Sequence, residues 1–320
     1  MKILRSIKKY LINKFLQSLI PIERKCIKTI VLQSQMLAQA NRNKEKIKEL
    51  SDVEFSGFSQ WGEDGIIDWL IEKLPTIPKT FVEFGVENYK ESNTRMLLYL
   101  RNWRGHVIDG SSSNILNIKS QDVSWRYDLT AGCAFIDRDN INHLIETSGL
   151  SGDVGLLSVD IDGNDYWVWQ AITTIKPVIV VCEYNAVFGD LHRITVPYQA
   201  DFQRTVAHHS NLYFGASLPA LIELGRQKGY CFVGTNSNGC NAFFIREDFA
   251  PIIIKSLSSI TSYPSLYRES RDSSGNLTFA SGEKKLGIIK HLPVFDLKKN
   301  SIKSIGEYSN HYSKEWQYDS

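Results

Sequence analysis

The sequence predicts an α/β fold with a mostly parallel sheet of seven strands. Short apolar runs alternate with helical apolar stripes between about residues 55 and 250, which is the order that βαβ units produce. Several of these runs end in carboxylates or amides, as strands do in open α/β sheets whose ligands bind beyond the carboxyl ends. The last two runs, 230–234 and 241–245, flank an Asn/Ser/Gly turn and indicate a terminal antiparallel hairpin. A helical extension precedes this core.

Composition indicates an ordinary globular protein in a reducing compartment. Hydrophobic residues make up 42% of the chain and charged residues 22%, so wholesale disorder is not expected. The formal net charge of +2 argues against a general nucleic-acid binder. The five cysteines are scattered without a CxxC pair, which predicts neither a disulfide framework nor a structural zinc site. No apolar run is long enough for a membrane span and no secretory signal is evident, so we expect a cytoplasmic protein.

The N-terminal stretch, residues 1–54, is expected to form a helical extension. Residues 2–20 carry apolar side chains at helical spacing with lysines and an arginine between them. Such a basic amphipathic helix could lie on a membrane surface, here the inner face of the cell membrane, or pack against another subunit or the main domain. Pro21 is expected to end this helix, because proline removes a hydrogen bond and clashes with the preceding turn. A second helix is expected from residue 22 or 23 to residue 50.

The main domain is expected to span residues 55–250, followed by a C-terminal extension, 251–320, of unclear structure. Its first helix is predicted to start near Ser59, a plausible N-cap, with Glu63 and Asp64 in the first turn. These two acids suit the positive end of the helix dipole, and that explanation alone accounts for them.

The first strand runs into a single-glycine turn, Glu83-Phe84-Gly85, and a helix opens near Arg95. A strand, a turn and a helix N-terminus form a pocket in which backbone N–H groups can meet a polar ligand. The second strand, 105–109, ends in Asp109, which is well placed to accept a hydrogen bond from a ribose hydroxyl. The lone glycine does not make a GxGxxG fingerprint, and Asp109 could equally be a turn residue. A third short strand is expected at 123–128.

The fourth strand ends in three acids, Asp160, Asp162 and Asp165, within six residues. Carboxylates this close repel one another unless a cation, a proton or hydrogen-bond donors relieve them, so the cluster suggests a functional site. A solvated acidic turn is the alternative. The fifth strand, 177–185, likewise ends in polar residues, Glu183 and Asn185.

These motifs resemble the Rossmann-like S-adenosylmethionine-dependent methyltransferases, close to the FkbM-like family, over roughly residues 55–248. The resemblance rests on 82–85, 107–109, 157–163, 181–183 and the ending 229–230 with 241–244. It implies that the following residues contact the cofactor: Glu83, Gly85 and Glu87 on the methionine side, Asp109 at the ribose, Asp128 near the adenine, and Asp160 facing the cofactor or its supporting shell. The chain departs from the family in having residues 86–89 where further glycines are common.

The acidic run is also similar to that of sugar and macrolide O-methyltransferases that use magnesium. By that similarity Asp162, Glu183 and Asn185 would form an oxygen site for Mg²⁺, which could also take substrate hydroxyls. Asp162 is thereby a catalytic candidate, and His192 is the candidate base because its ordinary pKa lies near neutrality. The resemblance therefore implies an O-methyltransferase that acts on a hydroxyl of a sugar or glycan precursor.

Two other functions remain open from the sequence. Asp160-Ile161-Asp162 is a literal DxD after an apolar strand, the pattern with which metal-dependent glycosyltransferases hold a sugar nucleotide. A non-catalytic scaffold of the same fold is the second alternative, since the first loop lacks the usual glycines. Peripheral membrane contact or self-association through residues 2–20 is compatible with all three functions.

Overall fold

The computed structural model describes residues 2–317, and for residues 2–13 and 15–17 it describes the backbone only. Within them the chain forms ten strands, several of which are short apolar segments rich in Val, Ile and Phe. They are β1 (Thr80–Phe84), β2 (Arg104–Asp109), β3 (Leu129–Cys133), β4 (Gly152–Val159), β5 (Ile175–Glu183), β6 (Ile194–Thr195), β7 (Tyr230–Thr235), β8 (Asn241–Arg246), β9 (Pro293–Asp296) and β10 (Ser301–Ser304).

Seven of these strands form one sheet in the order β3-β2-β1-β4-β5-β8-β7. Strands β1 to β5 are parallel to one another, whereas β8 pairs antiparallel with both β5 and β7. The predicted α/β class, with a mostly parallel seven-stranded sheet and a terminal hairpin, is confirmed. Because β4 lies on the other side of β1 from β2, the strand order reverses between β1 and β4.

Helices cover both faces of this sheet. The helices of the described residues are α1 (Lys2–Arg42), α2 (Glu63–Lys73), α3 (Arg95–Arg101), α4 (Ser112–Ser120), α5 (Val123–Arg126), α6 (Ile141–Glu146), α7 (Asp165–Ala171), α8 (Arg204–Ala207), α9 (Leu218–Gln227), α10 (Ala250–Ser256) and α11 (Glu283–Ile289). Successive strand residues alternate between two apolar cores, as Phe81 and Val82 do. None of the described helices is both long enough and apolar enough to cross a membrane.

The N-terminal helix differs from the prediction. Helix α1 runs without interruption through Pro21 and ends at Arg42, so there is no break at residue 20 and no second helix to residue 50. Residues 18–26 are exposed, so the proline ring meets no packed neighbour there. A proline in such a helix costs one hydrogen bond and a local distortion without having to end it. The C-terminal part of α1 packs on the core through Ser34, Ala38 and Asn41, and the Asn41 amide donates to the Val53 carbonyl at 2.8 Å.

The third strand also differs from the prediction. Residues 123–126 form α5, and the strand begins only at Leu129. Val123 is the only buried residue of α5 and Trp125 is 68% exposed, so this stretch has no apolar face to place in a sheet. Strand β3 itself lies at the sheet edge and pairs only with β2, and its sequence Leu-Thr-Ala-Gly-Cys has little apolar patterning. The sequence signal for an edge strand of this kind is weak.

A second, smaller sheet joins distant parts of the chain. Strand β6 pairs antiparallel with β9, which pairs antiparallel with β10. A third apolar core lies beside it and includes Phe188, Phe214 and Val294. The C-terminal residues thereby pack against the segment that follows β5.

Candidate active site

A cavity of about 650 Å³ opens at the carboxyl edge of the main sheet, beside β1 and β4. This is the point at which the strand order reverses, where open α/β sheets bind their ligands. Its first wall follows β1 and includes Gly85 and Glu87, and its second follows β4 and β5 with Asp160 and Glu183. The C-terminal segment supplies a third wall, which includes Lys285. The carboxylates predicted at the ends of β1, β4 and β5 therefore line one cavity.

Gly85 lets the ends of β1 and β4 approach each other. Its φ is +70°, and a Cβ at this position would lie 1.6 Å from the carbonyl oxygen of Asp160. No residue with a side chain fits there without moving the backbone. Downstream, Glu87 and Tyr89 also have positive φ values, 47° and 59°, so the loop takes left-handed conformations that glycines usually supply.

Asp109 holds this loop in place from the end of β2. Its carboxylate accepts hydrogen bonds from the Glu87 N–H at 2.8 Å, the Ser111 N–H at 2.8 Å and the Asn114 amide at 3.0 Å. Asp109 is buried and lies behind the loop, outside the set of residues that line the cavity. Its contact with a ribose therefore stays a prediction, whereas its role in shaping the cavity follows from these hydrogen bonds.

Glu83 lies at the floor of the cavity and is 3% exposed. Its carboxylate accepts hydrogen bonds from the Asn93 N–H at 2.8 Å, the Thr94 N–H at 3.2 Å and the Thr94 hydroxyl. Burial raises the pKa of Glu83 to about 7, against the opposing effect of these donors. Glu83 thus joins β1 to the start of α3, and it titrates near neutrality.

Asp160 and Glu183 form the acidic centre of the second wall. Burial, and then the neighbouring carboxylates, raise the pKa of both groups well above the usual carboxyl range. The buried Oε2 atom of Glu183 has no hydrogen-bond partner within the described part of the chain. Carboxylate oxygens of Asp160, Asp165 and Glu183 lie within 4.8 Å of one another. This wall can therefore accept a proton or face a cationic group.

The acids after β4 have three different environments. Asp165, at the start of α7, is buried and accepts hydrogen bonds from the Ile161 N–H at 2.8 Å and the Gly163 N–H at 2.9 Å. Burial raises the pKa of Asp165 to about 6. Its hydrogen bonds identify it as the residue that fixes the turn, while Asp160 faces the cavity.

Asp162 is held by an arginine that the sequence analysis did not identify. Arg204 in α8 donates to Asp162 Oδ1 at 2.5 Å and to the Asn211 carbonyl at 2.6 Å. Its guanidinium carbon lies 4.1 Å from the centroid of the Phe214 ring. Asp162 has a φ of 54°, which aspartate tolerates better than most residues. The second acid of the DxD sequence is therefore paired with Arg204.

Asn185 lines the cavity, but its side chain is engaged in the fold. The amide donates to the Leu212 and Phe214 carbonyls, both at 2.9 Å, and its oxygen accepts the Val187 N–H at 3.0 Å. Among the His, Cys, Asp and Glu side chains of the described residues, Asp160, Asp165 and Glu183 converge, and the predicted oxygen set Asp162, Glu183 and Asn185 stays a prediction. The three acids that do converge include Asp165, which is engaged by backbone donors.

Besides Asp109, two predicted site residues lie outside the cavity. His192 is in a second hollow, where its Nε2 atom contacts the Asn310 carbonyl, and its ring lies 4.6 Å from that of Tyr308. Asp128 precedes β3 and so lies at the amino edge of the sheet, beside Arg104 at 3.8 Å. The expected placement of His192 and Asp128 in the cavity is therefore corrected, while their roles as the base and as an adenine contact stay predictions. Asp128 lies at the amino end of a strand rather than at the carboxyl end because β3 starts later than expected.

The loop before α2 closes the cavity from the side. Gly62, rather than Ser59, is the N-cap of α2, while the Ser59 hydroxyl accepts the Asp64 N–H at 3.0 Å. Asp64 accepts in return the N–H groups of residues 57–59 at 2.6–2.9 Å, and burial raises its pKa to about 6. Glu63 accepts from the Asn236 and Asn241 amides, both at 2.8 Å. These two acids organise the loop, which is more than the helix-dipole role expected of them.

The third wall of the cavity was not predicted from the sequence. Tyr267, Glu269 and Lys285 line the cavity from segments without a chemical motif. Lys285 is 3% exposed and donates to the Tyr267 carbonyl. Burial lowers the pKa of Lys285 to about 8. No local pattern predicts such a wall, because only the tertiary fold brings it to the cavity.

Comparison with solved structures finds methyltransferases at low similarity. The N-terminal domain of EvdMO1, solved in the presence of SAH and D-fucose, is 9% identical, and the match covers 68% of this chain and 95% of that one with a TM-score of 0.38. An S-adenosylmethionine-dependent methyltransferase from Clostridium acetobutylicum is 11% identical over 57% of this chain and 90% of that one, with a TM-score of 0.35. An O-methyltransferase family protein from Burkholderia thailandensis is 12% identical over 68% and 70%, with a TM-score of 0.34.

No protein-family model matches the sequence, and no curated protein does. The strand order β3-β2-β1-β4-β5-β8-β7, with β8 antiparallel, is the Rossmann-like arrangement that the sequence predicts.

Proposed function

We propose that this chain is an S-adenosylmethionine-dependent methyltransferase that acts on a hydroxyl group of a sugar or glycan precursor, in the manner of the FkbM-like enzymes. The observation that carries the proposal is the cavity at the strand-order reversal, into which β1, β4 and β5 each bring a carboxylate. These are Glu83, Asp160 and Glu183. S-adenosylmethionine carries a sulfonium and an ammonium group, and a carboxylate-lined cavity suits a ligand with two positive centres.

The residues present fit this cofactor. Gly85 lets the ends of β1 and β4 meet at the floor of the cavity, and Glu87 and Asp160 offer carboxylates on the methionine side. Phe135 and Trp61 supply aromatic surface in the same cavity, and Asp109 sets the loop that the ribose would meet. The cofactor supplies an electrophilic methyl group on sulfur. The protein would hold the acceptor hydroxyl beside that group and exclude water.

In this proposal a carboxylate of the second wall removes the hydroxyl proton. His192 lies in another hollow, so the candidates within the cavity are Asp160 and Glu183. A raised pKa makes each of these carboxylates a stronger proton acceptor than an exposed one. The proposal does not require Mg²⁺. The convergence of Asp160, Asp165 and Glu183 makes the metal worth testing, since magnesium prefers oxygen ligands.

Calorimetric titration of the full chain with S-adenosylmethionine, with and without Mg²⁺, tests this proposal. We expect binding that weakens about tenfold or more in Glu87→Gln and Asp160→Asn, because each loses a carboxyl group whose ionised form a cationic ligand would favour. Asp128→Asn, at the opposite edge of the sheet, is the matched control and should bind like the unmodified chain. Absence of binding under both conditions would refute the proposal.

The acceptor is tested separately with methyl-labelled cofactor and a panel of sugars, sugar nucleotides and glycan precursors. Label transferred to a hydroxyl oxygen supports the proposed acceptor class. Release of nucleoside diphosphate from the sugar nucleotides, without methyl transfer, would favour the glycosyltransferase function instead. A chain that binds neither class of donor would fit the scaffold function.

The proposal also includes the location of the protein in the cell. We place the protein in the cytoplasm, and we propose that residues 2–20 contact the inner face of the membrane or a second copy of the chain. The five cysteines are free, which suits a reducing compartment. Fractionation of cells that express the full chain, and of the same chain without residues 2–20, tests this placement.

A further inference from the structure

A second hollow, of about 490 Å³, lies on the small sheet and is unrelated to the strand-end cavity. We call it the basic hollow and define it by six of its lining residues. They are His192, Arg193, Lys298, Lys299, Lys303 and Tyr308. Four of these side chains are cationic, and they come from the turn between β9 and β10, from β10 itself and from the segment after β5.

The acids at the basic hollow are engaged in hydrogen bonds of the fold. Asp296 Oδ1 accepts the N–H groups of Lys298 at 3.0 Å and Lys299 at 2.9 Å, and its Oδ2 accepts the Tyr308 hydroxyl at 3.0 Å. Glu307 accepts the Ser304 N–H at 2.7 Å in a capping box. These hydrogen bonds fix the hairpin turn, and they engage Asp296 with the backbone and Tyr308, and Glu307 with the backbone.

The charge of Asp296 acts on Lys299, but its effect on the Lys299 pKa is smaller than that of Lys303. Among the described residues, Lys298, Lys299 and Lys303 form no ion pair with a carboxylate, whereas Arg193 lies 3.5 Å from Glu223. Lys303 lowers the pKa of Lys299, through direct contact of the two side chains and then through charge repulsion. Such an arrangement is unfavourable in the free protein, and an anion between the two ammonium groups would relieve it.

An aromatic surface adjoins these charges. The His192 and Tyr308 rings lie 4.6 Å apart, and the Lys303 Nζ atom is 5.7 Å from the Tyr308 ring centroid. Convergent lysines match the several oxygens of a phosphate group, for which lysine is a common point-charge partner. The volume and the aromatic wall leave room for the group that the phosphate carries.

From these contacts we infer that the basic hollow binds a phosphate or diphosphate group, held by Lys298, Lys299 and Lys303, with the rest of the ligand against His192 and Tyr308. The ligand is either a soluble phosphate ester or a lipid headgroup, and both present the same anion. This inference is independent of the proposed methyl transfer, because it involves none of the residues of the strand-end cavity.

Titration of the full chain with inorganic pyrophosphate, followed by calorimetry, tests the inference. The variant is Lys299→Ala with Lys303→Ala, and the matched control is Lys255→Ala with Lys284→Ala, two exposed lysines elsewhere on the surface. We expect the first pair to weaken binding about tenfold or more and the control pair to leave it within about twofold. The first pair should melt no lower than the control pair, because removing two facing ammonium groups relieves repulsion, and this comparison excludes misfolding as the cause.

A second experiment identifies whether the anion belongs to a soluble phosphate ester or to a lipid headgroup. Vesicles of phosphatidylcholine with phosphatidic acid are compared with phosphatidylcholine alone, again for both variant pairs. Vesicle binding that exceeds pyrophosphate binding and is lost in the first pair supports the inference with a lipid headgroup. The inference is overturned if both variant pairs bind equally well or lose binding equally. It is also overturned if the unmodified chain binds neither pyrophosphate nor the vesicles, or if chloride at matched ionic strength has the same effect as pyrophosphate.

Discussion

The Cα of Gly85 faces the carbonyl oxygen of Asp160 so closely that an added Cβ would lie 1.6 Å from that oxygen. One strand end thereby rests directly on the next, and the floor of the cavity is backbone against backbone. The two residues belong to β1 and β4 loops that are separated by 75 residues in the chain, as their numbers show.

Gly85→Ala is expected to destabilise the protein by about 3 kcal/mol or more, because a clash with backbone adds to the strain of a positive φ. Gly152→Ala is the matched control, since Gly152 has a φ of +64° and nothing within 4 Å of its added Cβ. The control should cost about 1 kcal/mol. Urea unfolding of both variants measures the difference, and equal losses would show that the close approach to Asp160 is absent in solution.

Stability is expected to fall as the pH rises from 5.5 to 8. Glu83 has a pKa of about 7 in the fold, above its ordinary value, and Asp64 and Asp165 have pKa values of about 6. A raised carboxyl pKa means that the folded state favours the protonated form. Its stabilisation is complete below the unfolded pKa and is lost as the pH passes through the folded value.

For Glu83 alone the loss over this pH range is about 2 kcal/mol, at about 1.4 kcal/mol for each pKa unit. Glu83→Gln should flatten the pH dependence of the free energy of unfolding by that amount. Glu45→Gln, at an exposed position, should not change the slope. Chemical denaturation at a series of pH values provides the measurement. A Glu83→Gln slope equal to that of the control would contradict the titration of Glu83 near neutrality.

Arg204 and Asp162 should show measurable coupling. Arg204→Met is expected to cost about 2 kcal/mol, because it loses the Asn211 carbonyl and the cation–π contact as well as the ion pair. In a double-mutant cycle with Asp162→Asn we expect about 1 kcal/mol of coupling, since the Arg204 side chain is only 16% exposed. The pair Arg226 and Glu223, which lie three residues apart on α9, should give weaker coupling when treated in the same way. Similar coupling in both cycles would contradict a special role for Arg204.

Pro21→Ala is expected to strengthen α1 locally, because alanine restores the N–H group that proline lacks and has the higher helix propensity. Hydrogen exchange of residues 18–30 should slow, while Pro21→Gly should give a smaller effect. If exchange is unchanged in both variants, the helix ends before residue 21 in solution.

Local patterning explains which elements could be predicted. Strands β1, β2, β4 and β5 are buried apolar runs with clear ends, so their carboxylates could be placed at one edge of the sheet before any contact was known. Strand β3 carries no such pattern, and Asp128 was misplaced with it. The continuity of α1 through Pro21 depends on the absence of packing there, which local sequence does not reveal.

The same limit applies within the site. Glu83, Asp160 and Glu183 were predictable because each follows a strand. Arg204 and Lys285 come from short helices in irregular segments, and only long-range contacts bring them to the cavity. Sequence reasoning thus identified the acidic side of the cavity and missed its cationic side.

The small sheet also affects the order in which parts of the chain can fold during synthesis. Strand β6 must wait for β9, about a hundred residues later, before its hydrogen bonds can form. Contacts so distant in sequence form late, because a long loop must close first. The main sheet can assemble as soon as β8 has emerged, whereas Tyr267 and Lys285 follow it. A nascent chain would therefore acquire the strand-end floor early, and it would complete the third wall only after Lys285 has emerged.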